Sequence, residues 1–331
     1  MRVTPSLDTI NSLIICNPSN PEFIQTDPAI CFNGENYVLA WGDEKNGVPN
    51  IFYITAARVD RQGVALDTGV CVSTGSGVSE YRPNIACDGE RCLVVWYKSS
   101  TGIYGRFVNR AGQPEGDVIT IDFAGTGEPN LTFDGTNYLV VWFSGTYPNL
   151  EIYGRLISPQ GVFVGNIINI ALGSGCHRWA DVKFDGTNYL VVWQTGDNDV
   201  GQIIYGQFIA TNGSLVGSNF IISDNTNNKR WWPALAVSDS NFLVTWGQGT
   251  SSDIWGNVDV FVTGIEDKNS DNFHQIRFSP TVFTLEPKWL NDEIFTIFDV
   301  SGRTVKSNQI KPGVYFIENK RGVRQKIIGV K

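Results

Sequence analysis

Four short segments gather the side chains of this chain that could do chemistry. They are Glu80-Tyr81-Arg82, Gly127-Glu128, Cys176-His177-Arg178-Trp179 and Lys229-Arg230-Trp231-Trp232. Indole and phenol rings offer flat apolar faces on which a sugar can stack, and arginine or histidine captures acidic groups. Tyr81, Arg82, His177, Arg178, Trp179, Arg230, Trp231 and Trp232 are therefore the candidate ligand-binding residues. Adjacent side chains on a strand point oppositely, so only one ring of Trp231-Trp232 is easily buried. A catalytic alternative rests on Asp27, Glu128 and Asp181, because two carboxyl groups about 5–10 Å apart, one with a raised pKa, hydrolyse glycosides. Other catalytic signals are missing. The chain has two histidines, no His-Glu-x-x-His or Gly-x-Ser-x-Gly, and no phosphate-cradling glycine loop. Asp197-Asn198-Asp199 brings too few ligands for calcium. Neither a metal centre nor a cofactor is expected.

A recurrent phrase positions these segments. It runs from Pro28 to Trp41, Pro83 to Trp96, Pro129 to Trp142, Ala180 to Trp193 and Pro233 to Trp246, and the tryptophans stand 55, 46, 51 and 53 residues apart. A unit repeated at this period cannot bury its own apolar faces and must pack against its copies. Pro129–Phe133 reads as a first strand, ended by the Asp134-Gly135-Thr136-Asn137 turn. Tyr138–Trp142 is apolar without alternation, as in a strand covered on both faces. Ile152–Ile157 and Ile167–Ile170 supply a third and a fourth strand. In the second strands, Trp41, Trp96, Trp142, Trp193 and Trp246 read as core. The glycines of Tyr104-Gly105-Arg106 and Tyr153-Gly154-Arg155 read as space for a neighbouring side chain.

Four-stranded units with this period describe an all-β, five-bladed β-propeller over residues 1–264, followed by a linker and a small C-terminal β-sandwich over 265–331. The fifth copy supplies three strands, the last at Asp253–Val258, so Ser12–Cys16 near the N-terminus is expected to complete the last blade and close the ring. The chain starts inside a repeat and without a signal peptide, which points to residues, or whole blades, upstream.

Charge separates the two parts. Residues 1–263 carry 14 basic and 25 acidic side chains, against 11 and 8 in residues 264–331. The acidic body repels nucleic acid. No apolar run approaches the ~18 residues of a membrane-spanning helix.

The tail carries Phe298-Asp299-Val300-Ser301-Gly302-Arg303, then Gly313-Val314-Tyr315-Phe316, then a basic end. This pattern resembles the C-terminal sorting domain of the type IX secretion system, although Phe278-Ser279-Pro280 stands where that family opens with an Asn-Pro-Phe-like turn. The resemblance implies partnership with the type IX machinery and a place outside the cell or attached to the outer membrane. The Phe-Asp-Gly-Thr-Asn-Tyr-Leu-Val-Val-Trp phrase likewise resembles repeats of secreted bacterial proteins.

Blade-to-blade alignment also speaks to the cysteines. Where blades three and four have Phe133/Tyr138 and Phe184/Tyr189, blade two has Cys87 and Cys92. Cross-strand partners bring Cβ atoms within disulfide range, so a Cys87–Cys92 disulfide is expected, in keeping with an oxidising setting. No second Cys/His pair accompanies them to form a zinc site. Cys16, Cys31, Cys71 and Cys176 have no partner assignable from sequence. The function expected is a non-catalytic, surface-displayed propeller that binds a glycan or a protein. A glycoside hydrolase-like propeller and a structural spacer are the alternatives.

Overall fold

The computed structural model describes residues 24–44, 51–74, 77–173, 175–196, 202–223, 229–238, 241–249 and 253–260, with short backbone strands at 2–3, 9–11, 275–278, 295–299, 313–319 and 324–329. The described residues form strands and turns with no helix, and five sheets of four antiparallel strands make a five-bladed propeller.

Local chemistry sets each hairpin. Asp134 Oδ1 accepts from the backbone N–H groups of Thr136 and Asn137, both at 2.6 Å, and Gly135 takes φ +94°. Asn33, Asp88 and Asp185 cap their turns in the same way, ahead of Gly34, Gly89 and Gly186. A side-chain acceptor followed by a residue free to adopt positive φ closes a tight turn at little cost.

From that turn the second strand runs between two sheets. Tyr138, Leu139, Val140, Val141 and Trp142 are all 0% exposed, as an unbroken apolar strand requires. The repeated tryptophans are core in every blade. Trp142 additionally donates from Nε1 to Asp122 Oδ2 at 2.8 Å. On the third strand, a Cβ on Gly154 would meet Ile170 Cδ1 at 2.9 Å and one on Gly206 would meet Ile222 Cδ1 at 2.8 Å. These glycines admit an isoleucine from the end of the fourth strand or just past it, as expected for Gly154. In blades 2, 3 and 5 the residue after this glycine ties the blade to its predecessor, whereas Gln207 of blade 4 donates within its own blade to Phe208 O and Val216 O. Arg106 donates to Val72 O, Arg155 to Ile121 O and Asn257 to Ile222 O, at 2.8–3.1 Å.

Among the described residues, four apolar cores lie between blades 1 and 2, 2 and 3, 3 and 4, and 4 and 5. The first strands of successive blades adjoin one another, which makes them the inner strands. Blade 1 differs on one side. Ile30 is 60% exposed, and Phe32 and Tyr37 are 41% exposed. Their counterparts Leu131 and Tyr138 sit in the core shared with the preceding blade.

One expectation is corrected. The fourth strand of the last blade is Gln275–Phe278, which pairs Ile254 with Phe278 and Asn257 with Gln275. Blade 5 is thus completed by chain that follows it, an ordinary antiparallel continuation after a long connection. Arg2–Val3 instead pairs with Thr9–Asn11, and Ser12–Cys16 lies outside the described residues. In the tail, Phe295–Asp299, Gly313–Asn319 and Arg324–Gly329 form a three-stranded antiparallel sheet. The packing expected of a sandwich there lies outside the described side chains.

Candidate functional site

Each inner strand carries one irregularity at the same place. Pairing skips between Thr26 and Ala29, Tyr81 and Asn84, Gly127 and Asn130, Arg178 and Asp181, and Trp231 and Ala234. In every case two inner-strand residues oppose the single core tryptophan of the second strand, which is a β-bulge. The first residue of each bulge is left-handed: Asp27 (φ 52°), Arg82 (52°), Glu128 (46°), Trp179 (54°) and Trp232 (54°). None is glycine, so each position carries backbone strain of about 1 kcal/mol or more. A bulge re-aims a side chain, and here five are re-aimed from five adjoining inner strands.

Neighbours in this series touch. Arg82 of blade 2 forms an ion pair with Glu128 of blade 3. Trp179 of blade 4 meets Trp232 of blade 5 edge to face, with ring centroids 5.9 Å apart. The Arg178 guanidinium lies 4.1 Å from the centroid of the Trp179 ring, a cation–π arrangement. Trp232 is 65% exposed. One end of the series is therefore charged and the other aromatic.

The remaining candidates have other duties. Tyr81 packs on Phe52 of blade 1, centroids 5.5 Å apart. Trp231 lies half-buried against Gly247, where a Cβ would come 2.5 Å from Nε1. The two adjacent tryptophans differ in exposure, Trp231 half-buried and Trp232 exposed, and their rings meet edge to face with centroids 6.3 Å apart. Arg230, read from sequence as a ligand contact, is fully buried. Its Nη1 donates to Gln202 O at 2.7 Å and its Nε to Gln248 Oε1 at 2.9 Å, while burial lowers its pKa to about 10. Glu80 holds the equivalent buried place in blade 2, where desolvation raises its pKa despite Ser73, Lys98 and Trp96 nearby.

Asp181, a candidate catalytic carboxylate, lies two residues beyond the left-handed position and is tied into the frame. Its Oδ2 accepts from Leu235 N–H at 2.7 Å, and its Oδ1 accepts from Asn130 Nδ2 at 2.9 Å and Val182 N–H at 2.8 Å. It therefore links blades 3, 4 and 5. Asp27 and Glu128, in contrast, belong to the left-handed series.

His177 Nδ1 lies 2.8 Å from Thr195 Oγ1. Burial holds its pKa below the ordinary 6.5, with the Glu151 charge acting the other way. The unfolded chain therefore binds the proton more readily, and the stabilising effect of the neutral ring is lost as pH falls below about 6.5. His177→Gln is expected to flatten part of the loss of melting temperature between about pH 7 and 5. Parallel melting curves for both proteins would show no such divergence if the ring were indifferent to folding.

Cys87 and Cys92 are register partners, as expected. They are joined by Cys31 of blade 1, and the three sulfurs form one disulfide-like cluster. Cys71 is exposed and Cys176 buried, both outside the cluster.

No protein-family profile and no curated protein sequence matches the chain. Among solved structures, a protein of unknown function from Dyadobacter fermentans is similar at 12% identity and a TM-score of 0.56, over 93% of this chain and 94% of that one. An α-L-arabinofuranosidase from Clostridium thermocellum is similar at 14% identity and 0.44, over 70% and 89%. An endo-arabinase from Bacteroides thetaiotaomicron is similar at 10% identity and 0.43, over 78% and 94%. At 12% identity the Dyadobacter fermentans structure shows a shared fold alone.

Proposed function

We propose that the protein is a non-catalytic binding propeller of the cell exterior, and that Asp27, Arg82, Glu128, Trp179 and Trp232 form its ligand site. The observation that carries this reading is the same strained, left-handed bulge in all five blades. Non-glycine residues are held in this conformation only where the surroundings over-determine it, and such strain clusters at functional sites. The aromatic end, Trp179 and Trp232, suits a sugar ring, and the Arg82–Glu128 end suits its hydroxyl or acidic groups. A glycan is the favoured ligand. The disulfide-like cluster agrees with an oxidising exterior, and no helix among the described residues is long and apolar enough to cross a membrane. Delivery by the type IX machinery through the tail beyond Gln275–Phe278 is part of the proposal, on the strength of the motifs at Phe298–Arg303 and Gly313–Phe316.

On a glycan array, wild-type protein should select a restricted set of structures. Trp232→Ala should weaken that binding at least tenfold, about 1.4 kcal/mol, as removal of an exposed aromatic anchor does. Silence of the wild type across glycans would sink the glycan proposal. The hydrolase alternative keeps Asp27 and Glu128 as its carboxylates. Glu128 is committed to an ion pair, the opposite of the apolar surroundings that suit a general acid. Release of sugars from a polysaccharide, abolished in Glu128→Gln, would reverse that preference.

A further inference from the structure

We propose that Cys31, Cys87 and Cys92 form a thiol–disulfide exchange centre between blades 1 and 2, in which Cys87 is bonded to Cys31 and the Cys92 thiol can displace it. The three Sγ atoms lie within 4.8 Å of one another. Cys31 Sγ stands 3.7 Å from Cys92 Sγ, and Cys87 is in bonding reach of both. A disulfide sulfur carries one S–S bond, so three sulfurs make one disulfide and leave one thiol.

Backbone spacing ranks the two pairings. The Cα atoms of Cys31 and Cys87 are 6.4 Å apart, inside the usual disulfide range, whereas those of Cys87 and Cys92 are only 3.9 Å apart, short of it. The inter-blade bond is accordingly the resting one. The remaining thiol, Cys92, is buried among Val38, Ala40, Ile85, Val94 and Val108. Reagents in solution cannot reach it there, but Cys87 is in contact.

The exchange is balanced within the chain. The Cys92 thiolate attacks Cys87 Sγ, the Cys87–Cys92 bond forms as the Cys31–Cys87 bond breaks, and Cys31 leaves as a thiolate that takes up the proton Cys92 gave away. No net oxidation occurs. An external disulfide donor makes the first bond, as for any secreted protein. The two states differ mechanically. Bonded to Cys31, Cys87 covalently fastens blade 1 to blade 2. Bonded to Cys92, it leaves blade 1 held by packing, and blade 1 has its other face uncovered at Ile30, Phe32 and Tyr37. The cluster therefore governs how firmly blade 1 is fastened to blade 2.

The test is peptide mapping of the full chain, quenched in acid, unfolded in a maleimide and digested without reductant. Proteases cutting after Glu, Lys and Arg place Cys31, Cys87 and Cys92 on separate peptides. Wild type should give one disulfide for the cluster, with Cys31–Cys87 the major cross-link, Cys87–Cys92 the minor one, and the third cysteine labelled. A trace of small thiol before quenching should leave their ratio unchanged, because the Cys92 thiol already equilibrates them. Cys92→Ser should lock Cys31–Cys87 at full occupancy, and Cys31→Ser should lock Cys87–Cys92. Three labelled thiols would overturn the proposal; with one zinc or copper per chain by elemental analysis, they would mark a metal-thiolate site. A single pairing in the wild type, with none of the other, or a ratio that shifts when thiol is added, would also end it.

Discussion

Trp142→Ala is expected to cost about 3–5 kcal/mol of stability, the usual range for emptying a buried large aromatic site. The indole has no exposed surface, sits in the core between blades 2 and 3, and is hydrogen-bonded through Nε1 to Asp122. Opposite it lies the Glu128-Pro129 bulge, so the substitution should loosen the candidate site as well as the core. Trp142→Phe fills most of the space and should cost mainly the hydrogen bond, about 1 kcal/mol net beyond a small packing loss. Urea unfolding followed by circular dichroism separates the two. A midpoint for Trp142→Ala within a few tenths molar of wild type would contradict the assignment of these tryptophans to the core.

Asp181→Ala should be nearly as damaging, at about 2–4 kcal/mol. The carboxylate joins three blades, and its loss leaves the Leu235 N–H and the Asn130 amide without their acceptor. Asp181→Asn should not rescue it, because one carboxylate oxygen becomes an NH2 group facing donors. The same variants discriminate roles. If Asp181 acted on substrate, Asp181→Asn would abolish an activity at unchanged stability. Here the stability loss is expected first, with any change in ligand affinity following it.

How much of this was legible in the sequence depends on the distance over which each feature is encoded. The hairpins were legible because Asp134, Gly135 and Asn137 carry their own turn chemistry within four residues. The apolar second strands were legible because burial on both faces removes polar alternation from five consecutive positions. That Cys87 and Cys92 face each other across the hairpin was legible by aligning blades, since both members change together. Cys31 was not, because it reaches the cluster from a different blade and nothing near it in sequence refers to Cys87. Gln275–Phe278 was missed for a related reason: four residues after a long connection carry too short a pattern to outweigh a complete-looking apolar strand at Ser12–Cys16. Arg230 was read as a ligand contact because it stands beside Trp231-Trp232 in a variable segment; its buried acceptors, Gln202 and Gln248, come from a neighbouring blade and a neighbouring strand. The left-handed series left a faint trace. Four of its five members precede a proline in the aligned repeats, with Ala180 in the fifth, and each stands opposite the repeated tryptophan. That coincidence could have been read as a bulge, although the sign of φ could not.

Each bulge stands opposite the repeated tryptophan of the next strand, and a small or cyclic residue follows its first member. The side chain it presents is an acid, a base, an acid and two indoles in successive blades, on nearly the same backbone. Shape and recognition are therefore written in separate letters. A lineage could retune what such a surface captures one codon at a time, leaving the scaffold's folding unaltered, much as interchangeable bits fit a common chuck.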